Sequence, residues 1–476
     1  MTRPAPQSPP APAPAAPLGG AAPLRVAVVG SGPAGVYAVD ALLKSDAEVA
    51  VDLIERLPAP FGLIRYGVAP DHPRIKGIIA SLHRVLDKPG VRLLGNVEVG
   101  ADVSVAELRA RYDAVVLATG AVGDRDLDIP GAELAGHHGA GEFVGFYDSH
   151  PDFARSWDLS AASAAVVGVG NVALDVARVL AKTADELKVT DIADNVHATL
   201  AGNAARDIHV FGRRGPAQAK FTPLELKELD HSPTIEVLVD PADLRYDAAG
   251  EAARRSTKVV DQVCTILEDY ALREPKGAPH RLRIHFFENP VALLGAGGRV
   301  TAIRTERTEP DGNGGVRGTG EFTDWPAGAV YRAVGYRSDP VPGVPFDAAT
   351  HTIPELGGRV LDPAGAPIPG LYATGWVRRG PVGLIGNTKG DANEVIANLL
   401  ADAAAGALPA PAAPGVDRLL AERGVQVTDW AGWRALDAHE RALGAAEGRE
   451  RKKVVERAEM IRRSRPAAAE AAPVTA

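Results

Sequence analysis

The sequence predicts an α/β protein that contains two Rossmann-like dinucleotide-binding units in one chain. Each unit begins with a short apolar strand, at 26–29 and at 164–167, that runs into a glycine-rich turn and then a helix. The turn residues are Gly30, Gly32 and Gly35 in the first unit and Gly168, Gly170 and Ala173 in the second. Such turns let the backbone approach a pyrophosphate, which the N–H groups at the helix N-terminus bind.

The first unit is predicted as strand, helix and strand, with the helix at 35–44 and the second strand at 49–54. Glu55 ends that second strand, at the usual interval after the turn. A carboxylate here can accept hydrogen bonds from the ribose hydroxyls of FAD or NAD. The alternative is a solvated acid at a strand end, and we favour the ribose interpretation because of the spacing.

A loop rich in proline and glycine follows at 58–73 and contains His72. The frequent prolines and glycines indicate a fixed, irregular loop, and ligands often bind in such loops. A helix is predicted at 76–86. The apolar run at 114–117 is typical of a buried parallel strand that returns to the first sheet.

The second unit carries positive charge at the strand end where the first unit carries the acid Glu55. Its strand at 208–211 runs through Gly212 into Arg213 and Arg214. Two arginines suit the 2′-phosphate of NADP, which a guanidinium group binds bidentately. The path to this strand is about twice the usual length, and we assign the excess to a helical insertion at 190–205.

Two residues are candidates for acid–base chemistry. His72 and Glu228 could relay a proton if the fold brings them together beside a nicotinamide or flavin. The alternative is a hydrogen-bonded loop histidine and a solvated helix acid. Asp175 and Arg178, three residues apart on one helix, are interpreted as a surface ion pair.

The remaining chain is predicted in outline. Short strands alternate with turns over 256–335, and a further strand lies at 371–374. A glycine loop through Gly390 precedes a helix at 391–400. A charged helical stretch is predicted at 436–461.

Composition excludes several classes of function. A net charge of -8 argues against general nucleic-acid binding. Cys264 is the only cysteine, so the chain has no internal disulfide, no redox cysteine pair and no four-cysteine iron–sulfur cluster. No apolar run approaches the ~20 residues of a membrane span, and no metal site is predicted. The first 23 residues, rich in proline and alanine, are expected to be a disordered extension of a cytoplasmic protein rather than a signal peptide.

Several motifs together resemble the adrenodoxin-reductase-like ferredoxin-NADP reductases, and the tail around Asp437 is similar to their actinobacterial branch. The matching segments are 30–35, 66–73, 170–178, 212–216 with 221–222, and 375–386. The resemblance extends from about Leu24 to Asn398. It implies a glutathione-reductase-like pair of Rossmann domains, with the second domain inserted in the first.

The resemblance also implies a domain plan and a set of binding residues. The plan is an extension at 1–23, an FAD-binding domain at 24–122 and 338–404, an NADP-binding domain at 123–337, and a linker with a C-terminal helical extension at 405–476. FAD is expected at Gly30, Gly32, Ala34, Gly35, Glu55, Leu63, Val97, Trp376, Gly383, Leu384 and Ile385. NADP is expected at Arg125, Val169, Gly170, Asn171, Val172, Arg213, Arg214, Glu225 and Gly383, with His72 and Glu228 as the active-site pair.

The expected activity is that of an FAD-containing NADPH-ferredoxin reductase, in which NADPH reduces FAD and single electrons pass to a ferredoxin. Arg213, Arg214, Arg378 and Arg379 are expected to attract an acidic ferredoxin. The single cysteine excludes a disulfide reductase of the same fold. An FAD- and NADPH-dependent monooxygenase and a non-catalytic, nucleotide-sensing flavoprotein are the alternatives.

Overall fold

A computed structural model describes residues 23–383 and 385–465. The predicted N-terminal extension up to residue 22, Leu384 and the tail beyond residue 465 therefore lie outside the described residues. Within them, the chain builds a seven-stranded sheet that is parallel except for an antiparallel edge at 355–373, a six-stranded parallel sheet, a three-stranded antiparallel sheet and a two-stranded pair of 123–124 with 336–337.

The strands are, in chain order, β1 Leu24–Val29, β2 Val49–Glu55, β3 Val91–Gly95, β4 Ala114–Leu117, β5 Gly123–Asp124, β6 His137–Gly139, β7 Ser163–Val167, β8 Asp207–Gly212, β9 Ile235–Val239, β10 His280–Phe286, β11 Glu288–Ala296, β12 Arg299–Pro310, β13 Val316–Pro326, β14 Ala329–Arg332, β15 Tyr336–Arg337, β16 Glu355–Leu356, β17 Arg359–Leu361 and β18 Pro367–Ala373.

The helices are, in chain order, α1 Pro33–Leu43, α2 Leu63–Tyr66, α3 Pro73–Lys76, α4 Ile79–Leu86, α5 Val105–Arg109, α6 Ala140–Tyr147, α7 Asn171–Ala181, α8 Ala184–Lys188, α9 Asp194–Ala201, α10 Pro223–Glu228, α11 Ala248–Ser256, α12 Lys258–Leu272, α13 Trp376–Arg379, α14 Ile385–Ala404, α15 Val416–Glu422, α16 Trp430–Ala445 and α17 Arg457–Arg463.

The first sheet has the strand order β16-β17-β18-β4-β1-β2-β3. β1 is an inner strand of this sheet, parallel to β2 on one side and to β4 on the other. Its apolar side chains are buried because helices and loops cover both faces, as a parallel sheet requires. The first glycine turn therefore leaves the sheet where neighbouring connections diverge, the usual place for a ligand in an open α/β sheet.

The second sheet is parallel throughout and has the order β6-β14-β7-β8-β10-β9. β7 lies between β14 and β8, so the second glycine turn repeats the position of the first. The antiparallel strands β11, β12 and β13 pack on one face of this sheet through Leu293, Val300 and Ile303. We call the first sheet with its helices the first unit and the second sheet with its helices the second unit.

The connectivity confirms the predicted fold class. Strands of the first sheet come from residues before 118 and after 354, whereas those of the second come from residues in between. The second unit is thus inserted into the first. The two glycine turns predicted the two Rossmann-like units, and the family resemblance implied that the second is inserted in the first.

Several predicted elements differ from the structure. The helix predicted at 76–86 is divided into α3 and α4, with Gly77 capping the first. The region 256–335 does not begin with strands, because α12 occupies its start and buries Val263, Leu267 and Tyr270 at helical spacing. The helical insertion predicted at 190–205 contains one short helix, α9, and a second short helix, α8, lies just before that range.

The C-terminal third also differs from prediction. The helix predicted at 391–400 begins earlier, so Gly390 lies inside α14 rather than in a loop. The single helix predicted at 436–461 is two helices, α16 and α17, separated by an irregular segment. The chain turns there because the backbone of Arg451 packs against Gly444, where a Cβ atom would collide with it. Of the helices in the described ranges, none combines the length and apolar character that crossing a membrane demands.

Candidate active site

The first glycine turn is shaped for close backbone packing on one side and for a ligand on the other. A Cβ atom on Gly30 or Gly35 would collide with a carbonyl oxygen, that of Ala118 or that of Gly30. Gly32, in contrast, faces open space with no atom within 4 Å. The N-terminus of α1 has no side-chain cap and no acidic residue in its first turn. Its N–H groups are therefore free to bind an anionic diphosphate.

Glu55 lies beside this turn and is buried. Its Oε2 accepts hydrogen bonds from the N–H of Ser31 at 3.0 Å and the hydroxyl at 2.6 Å, while Oε1 accepts from the N–H of Leu57 at 3.0 Å. A carboxylate has about four acceptor positions, so capacity is left for ribose hydroxyls. Val97 is adjacent, since its N–H donates to the carbonyl of Glu55 at 2.9 Å, and Leu63 opens α2 nearby.

The C-terminal part of the chain returns to the same turn. Gly375 has a φ of +75°, and a Cβ atom there would lie 2.6 Å from the Cβ of Ala34 at the start of α1. Trp376 follows, and its ring centroid lies 6.0 Å from that of Tyr336. Nearby, the buried hydroxyl of Thr119 has no hydrogen-bond partner in the described parts of the chain. Open space, free N–H groups and an orphaned hydroxyl together fit a bound FAD.

The structure describes residues 383–385 only in part. Gly383 is described and has a φ of +88°. Leu384 lies outside the described residues, and Ile385 begins α14 without a described side chain. Their roles in cofactor binding stay predictions.

The second glycine turn repeats the features of the first. A Cβ atom on Gly168 would collide with the carbonyl oxygen of Ala333, whereas Gly170 faces open space. The N-terminus of α7 is again without a side-chain cap or an early acidic residue. Asn171 anchors a neighbouring loop, because its Oδ1 accepts a hydrogen bond from the N–H of Thr222 at 2.9 Å. Val169 and Val172, which flank Gly170 and Asn171, are half-buried.

The predicted cations lie at the surface close to this turn. Arg213 is exposed and Arg214 is half-exposed at the end of β8. Neither guanidinium forms an ion pair with any residue that the structure describes. Arg125 is also exposed, and its Nε donates to the carbonyl of Tyr336 at 3.2 Å. Unpaired guanidinium groups beside an uncapped helix are suited to a nucleotide phosphate.

The structure brings His72 and Glu228 together, with 2.6 Å between His72 Nδ1 and Glu228 Oε2. On the other side of the ring, His72 Nε2 lies 2.7 Å from Glu225 Oε2 and 2.9 Å from Asp175 Oδ1. His72 is only 3% exposed. Burial alone would lower its pKa, but hydrogen bonds to the three carboxylates raise it to about 11.

Asp175 and Arg178 are not a surface pair, and that prediction is wrong. Arg178 is fully buried, and its Nη2 lies 2.7 Å from Asp175 Oδ1 and 2.6 Å from His72 Nε2. It also binds Asp71, which Lys182 contacts at 2.7 Å. Burial alone would raise the pKa of Asp71, but these two cations hold it well below its usual range. The one sequence feature that pointed to this buried cluster is that Asp71 directly precedes His72 in the loop rich in proline and glycine.

The same cluster contains the ligand atoms of a metal site, but a positive charge beside them disfavours a bound cation. Ligand atoms of His72, Glu225 and Glu228 lie within 4.8 Å of one another. However, the two glutamates approach opposite nitrogens of the imidazole ring. The guanidinium of Arg178 also lies against one of those nitrogens. A positive charge in that place stabilises the carboxylates as ion pairs and disfavours a cation.

One predicted docking residue is corrected as well. Arg378 is buried and binds Asp391 at 2.6 Å and Glu394 at 2.9 Å. Its charge holds α13 against α14 and is not presented to a partner. Arg379 is half-exposed but pairs with the same two acids.

Comparison with known proteins agrees with this geometry. A family model described as pyridine nucleotide-disulphide oxidoreductase matches residues 24–209. The NADPH-ferredoxin reductase FprA of Mycobacterium tuberculosis is 43% identical over 457 residues, covering 92% of this chain and 99% of FprA. The human mitochondrial NADPH:adrenodoxin oxidoreductase is 40% identical over 454 residues, covering 92% and 91%.

A solved structure of Mycobacterium tuberculosis FprA in complex with NADPH superposes with a TM-score of 0.86 at 42% identity, covering 93% of this chain and all of that one. The fold and the paired turns define a two-dinucleotide oxidoreductase. The chain belongs, within that class, to the family of NADPH-ferredoxin and NADPH:adrenodoxin oxidoreductases, as the sequence resemblance predicted.

Proposed function

We propose that this chain is an FAD-dependent NADPH-ferredoxin reductase. The observation that carries the proposal is the pair of uncapped glycine turns, one beside the buried acid Glu55 and the other beside the unpaired Arg213 and Arg214. An acid selects ribose hydroxyls and arginines select a ribose phosphate, so the two sites bind different dinucleotides. FAD supplies two-electron exchange with NADPH and one-electron exchange with an iron–sulfur acceptor.

In the first unit, residues from both ends of the chain bind and enclose FAD. The N–H groups of α1 bind its diphosphate, and Glu55 binds the ribose. Gly375 brings the returning segment against α1, which lets Trp376 and the following loop cover the site and exclude water. Thr119 offers its buried hydroxyl to a polar atom of the cofactor.

In the second unit, α7 binds the diphosphate of NADPH and the two arginines bind its 2′-phosphate. Glu225 lies on α10 within the buried cluster, so this helix connects the nucleotide site with His72. His72 holds a proton that it shares between Nδ1 and Oε2 of Glu228, and the carboxylates of Asp175 and Glu225 accept from Nε2 on the other side of the ring. The pair thereby controls proton movement where the two units meet.

The electron acceptor is a separate protein. The chain has one cysteine, Cys264, which is buried and cannot bind a cluster by itself. We assign the acceptor role to an acidic ferredoxin, which the exposed Arg213 and Arg214 attract before or between nucleotide-binding events. A lone buried thiol suits a reducing compartment, and we propose the cytoplasm.

We also propose the domain plan that the resemblance implied. The FAD-binding domain consists of 24–122 and 338–404, and the NADP-binding domain of 123–337. These limits separate the strands of the two large sheets. The segment 405–476 is a linker and C-terminal extension.

Anaerobic reduction of the purified holoprotein tests the proposal. We expect NADPH to bleach the flavin colour much faster than NADH does, and a ferredoxin to restore the colour. A flavin that NADPH cannot bleach would indicate a nucleotide-sensing flavoprotein. NADPH-dependent incorporation of oxygen into an organic substrate would instead indicate a monooxygenase.

A further inference from the structure

The segment between α16 and α17, residues 446–456, crosses from one unit to the other, and we call it the C-terminal strap. It is irregular, and of its four basic residues Arg449, Arg451 and Lys453 are buried and Lys452 is partly buried. Its backbone is held at several points, including the N–H of Lys452 to the carbonyl of Glu440 at 2.9 Å and the N–H of Glu450 to the carbonyl of Val189 at 3.2 Å.

Lys453 is the most buried residue of the strap, with its side chain 1% exposed. Its Nζ donates to the carbonyl oxygens of Arg65 and Asp148, both at 3.0 Å. It also pairs with Asp148 Oδ1 at 3.3 Å and with Asp191 Oδ2 at 3.0 Å. Arg65 belongs to α2 in the first unit, whereas the two aspartates follow α6 and α8 in the second. One ammonium group therefore joins both units and the strap.

Lys76 completes the cluster from the first unit. Its Nζ lies 2.7 Å from Asp191 Oδ2 and 3.1 Å from Asp148 Oδ1. The four side chains are at most 6% exposed and their two positive and two negative charges cancel. Lys76 ends α3, and its N–H donates to the carbonyl of His72 at 3.1 Å. The cluster thus holds the helix turn that follows the active-site histidine.

A second contact of the same kind follows the strap. Arg457 donates from Nη1 to the carbonyl of Arg56 at 2.8 Å and to Oδ1 of Asn96 at 3.1 Å, both in the first unit. Its Nη2 donates to Asp152 of the second unit at 2.8 Å. The C-terminal extension is therefore attached to both units at two places.

We propose that Lys453 is a positioning residue: by closing a buried charge cluster with Lys76, Asp148 and Asp191, it fixes the second unit and the turn after His72 against the first unit. The inference rests on the proposed function, because the alignment it fixes is that of NADPH with FAD. A misplacement of about 1 Å between reacting groups can cost about 100-fold in rate.

The expected signature is a loss of rate without a loss of nucleotide affinity. The second glycine turn, Arg213 and Arg214 all lie in the second unit and move with it. In Lys453→Met holoprotein we therefore expect the anaerobic reduction of FAD by NADPH to slow by about 10- to 100-fold, while the Kd for NADP⁺ changes by less than about two-fold. The matched control is Lys452→Met in the same strap, whose ammonium pairs with Asp194 and Glu447. This control variant should retain the parent's rate of FAD reduction and its Kd for NADP⁺.

A distance measurement provides a readout that does not depend on turnover. Spin labels on Glu48→Cys in the first unit and Glu274→Cys in the second, both exposed sites, report the separation of the units. We expect one narrow distance distribution in the parent protein and in Lys452→Met, and a broader one in Lys453→Met. If NADPH fails to reduce the parent protein, the proposed function fails, whereas this measurement still tests the strap.

Loss of one buried charge can impair folding, so a charge-balanced variant is included. Lys453→Met with Asp148→Asn leaves Lys76 and Asp191 as a neutral pair but removes the bond to Arg65. It should fold and should still reduce FAD slowly, with a broad distance distribution. Parent-like reduction and a narrow distribution in this variant would overturn the proposal, as would an equal loss of rate in Lys452→Met.

Discussion

Arg178 binds Asp71 through two hydrogen bonds, from Nε to Oδ2 at 2.8 Å and from Nη2 to Oδ1 at 2.9 Å. Arg178 lies on α7, directly after the second glycine turn, whereas Asp71 lies in the loop of the first unit beside His72. This pair therefore joins the nucleotide-binding helix of one unit to the active-site loop of the other.

Arg178→Met should destabilise the protein by about 3 to 5 kcal/mol, because it leaves Asp71 and Asp175 buried without their main counter-charge. Urea unfolding at neutral pH measures the change. Arg304→Met is the matched control, since Arg304 makes a similar two-bond pair with Asp324 on the exposed face of β12 and β13. The control should be close to the parent protein, and equal losses in both variants would contradict the buried role of Arg178.

The raised pKa of His72 predicts a specific pH dependence. The folded-state pKa of about 11 exceeds the ordinary value of 6.5, so the imidazolium contributes stability that is complete below about pH 6.5 and is lost as the pH rises toward 11. The difference in unfolding free energy between the parent and His72→Gln should shrink by up to about 1.4 kcal/mol per pH unit between about pH 7 and 10. Urea unfolding at several pH values checks this, and a difference that does not vary with pH would mean that His72 is neutral when folded.

Arg213 and Arg214 should determine the choice between the two nicotinamide cofactors. Replacing both with Ala should raise the Kd for NADPH by about 10- to 100-fold and leave NADH binding unchanged, because only NADPH carries the 2′-phosphate. Binding titrations with both nucleotides measure the effect, with Arg418→Ala on the exposed face of α15 as the control. Equal weakening for both nucleotides would remove the phosphate assignment.

Substitution of Gly375 tests whether its close approach to α1 is needed to enclose FAD. Gly375→Ala places a Cβ atom 2.6 Å from that of Ala34, whereas Gly380→Ala meets no atom within 4 Å at the same φ of +75°. Both variants incur the strain of a left-handed backbone, so their difference isolates the crowding at α1. The FAD content after purification should fall markedly more in Gly375→Ala. Equal FAD retention would argue against this contact as part of the cofactor site.

The sequence was sufficient for the parts of the fold that local pattern controls. The strand at 114–117 and the two glycine turns occur where apolar runs and glycine spacing predicted them. The approach of His72 to Glu228 was expected from the family resemblance and is present at 2.6 Å. Helix α12 was missed although Val263, Leu267 and Tyr270 recur at helical spacing, because the region was interpreted as short strands from its start.

Long-range packing was beyond the reach of these patterns. Asp175 and Arg178 have the spacing of an ordinary surface pair, and nothing local indicates that Asp71, more than a hundred positions earlier, covers them. The same holds for Lys453, which lies in a run of basic residues that gives no sign of which charge is buried between the two units. Spacing identifies which side chains share a face but not what packs on that face.

The most direct test of the central claim is an anaerobic titration of the holoprotein and a purified [2Fe–2S] ferredoxin with NADPH. We expect each NADPH to reduce two ferredoxin molecules, because each cluster accepts one electron. We expect NADH to reduce ferredoxin far more slowly. Consumption of NADPH without ferredoxin reduction, or no consumption at all, would contradict the assignment of this chain as an NADPH-ferredoxin reductase.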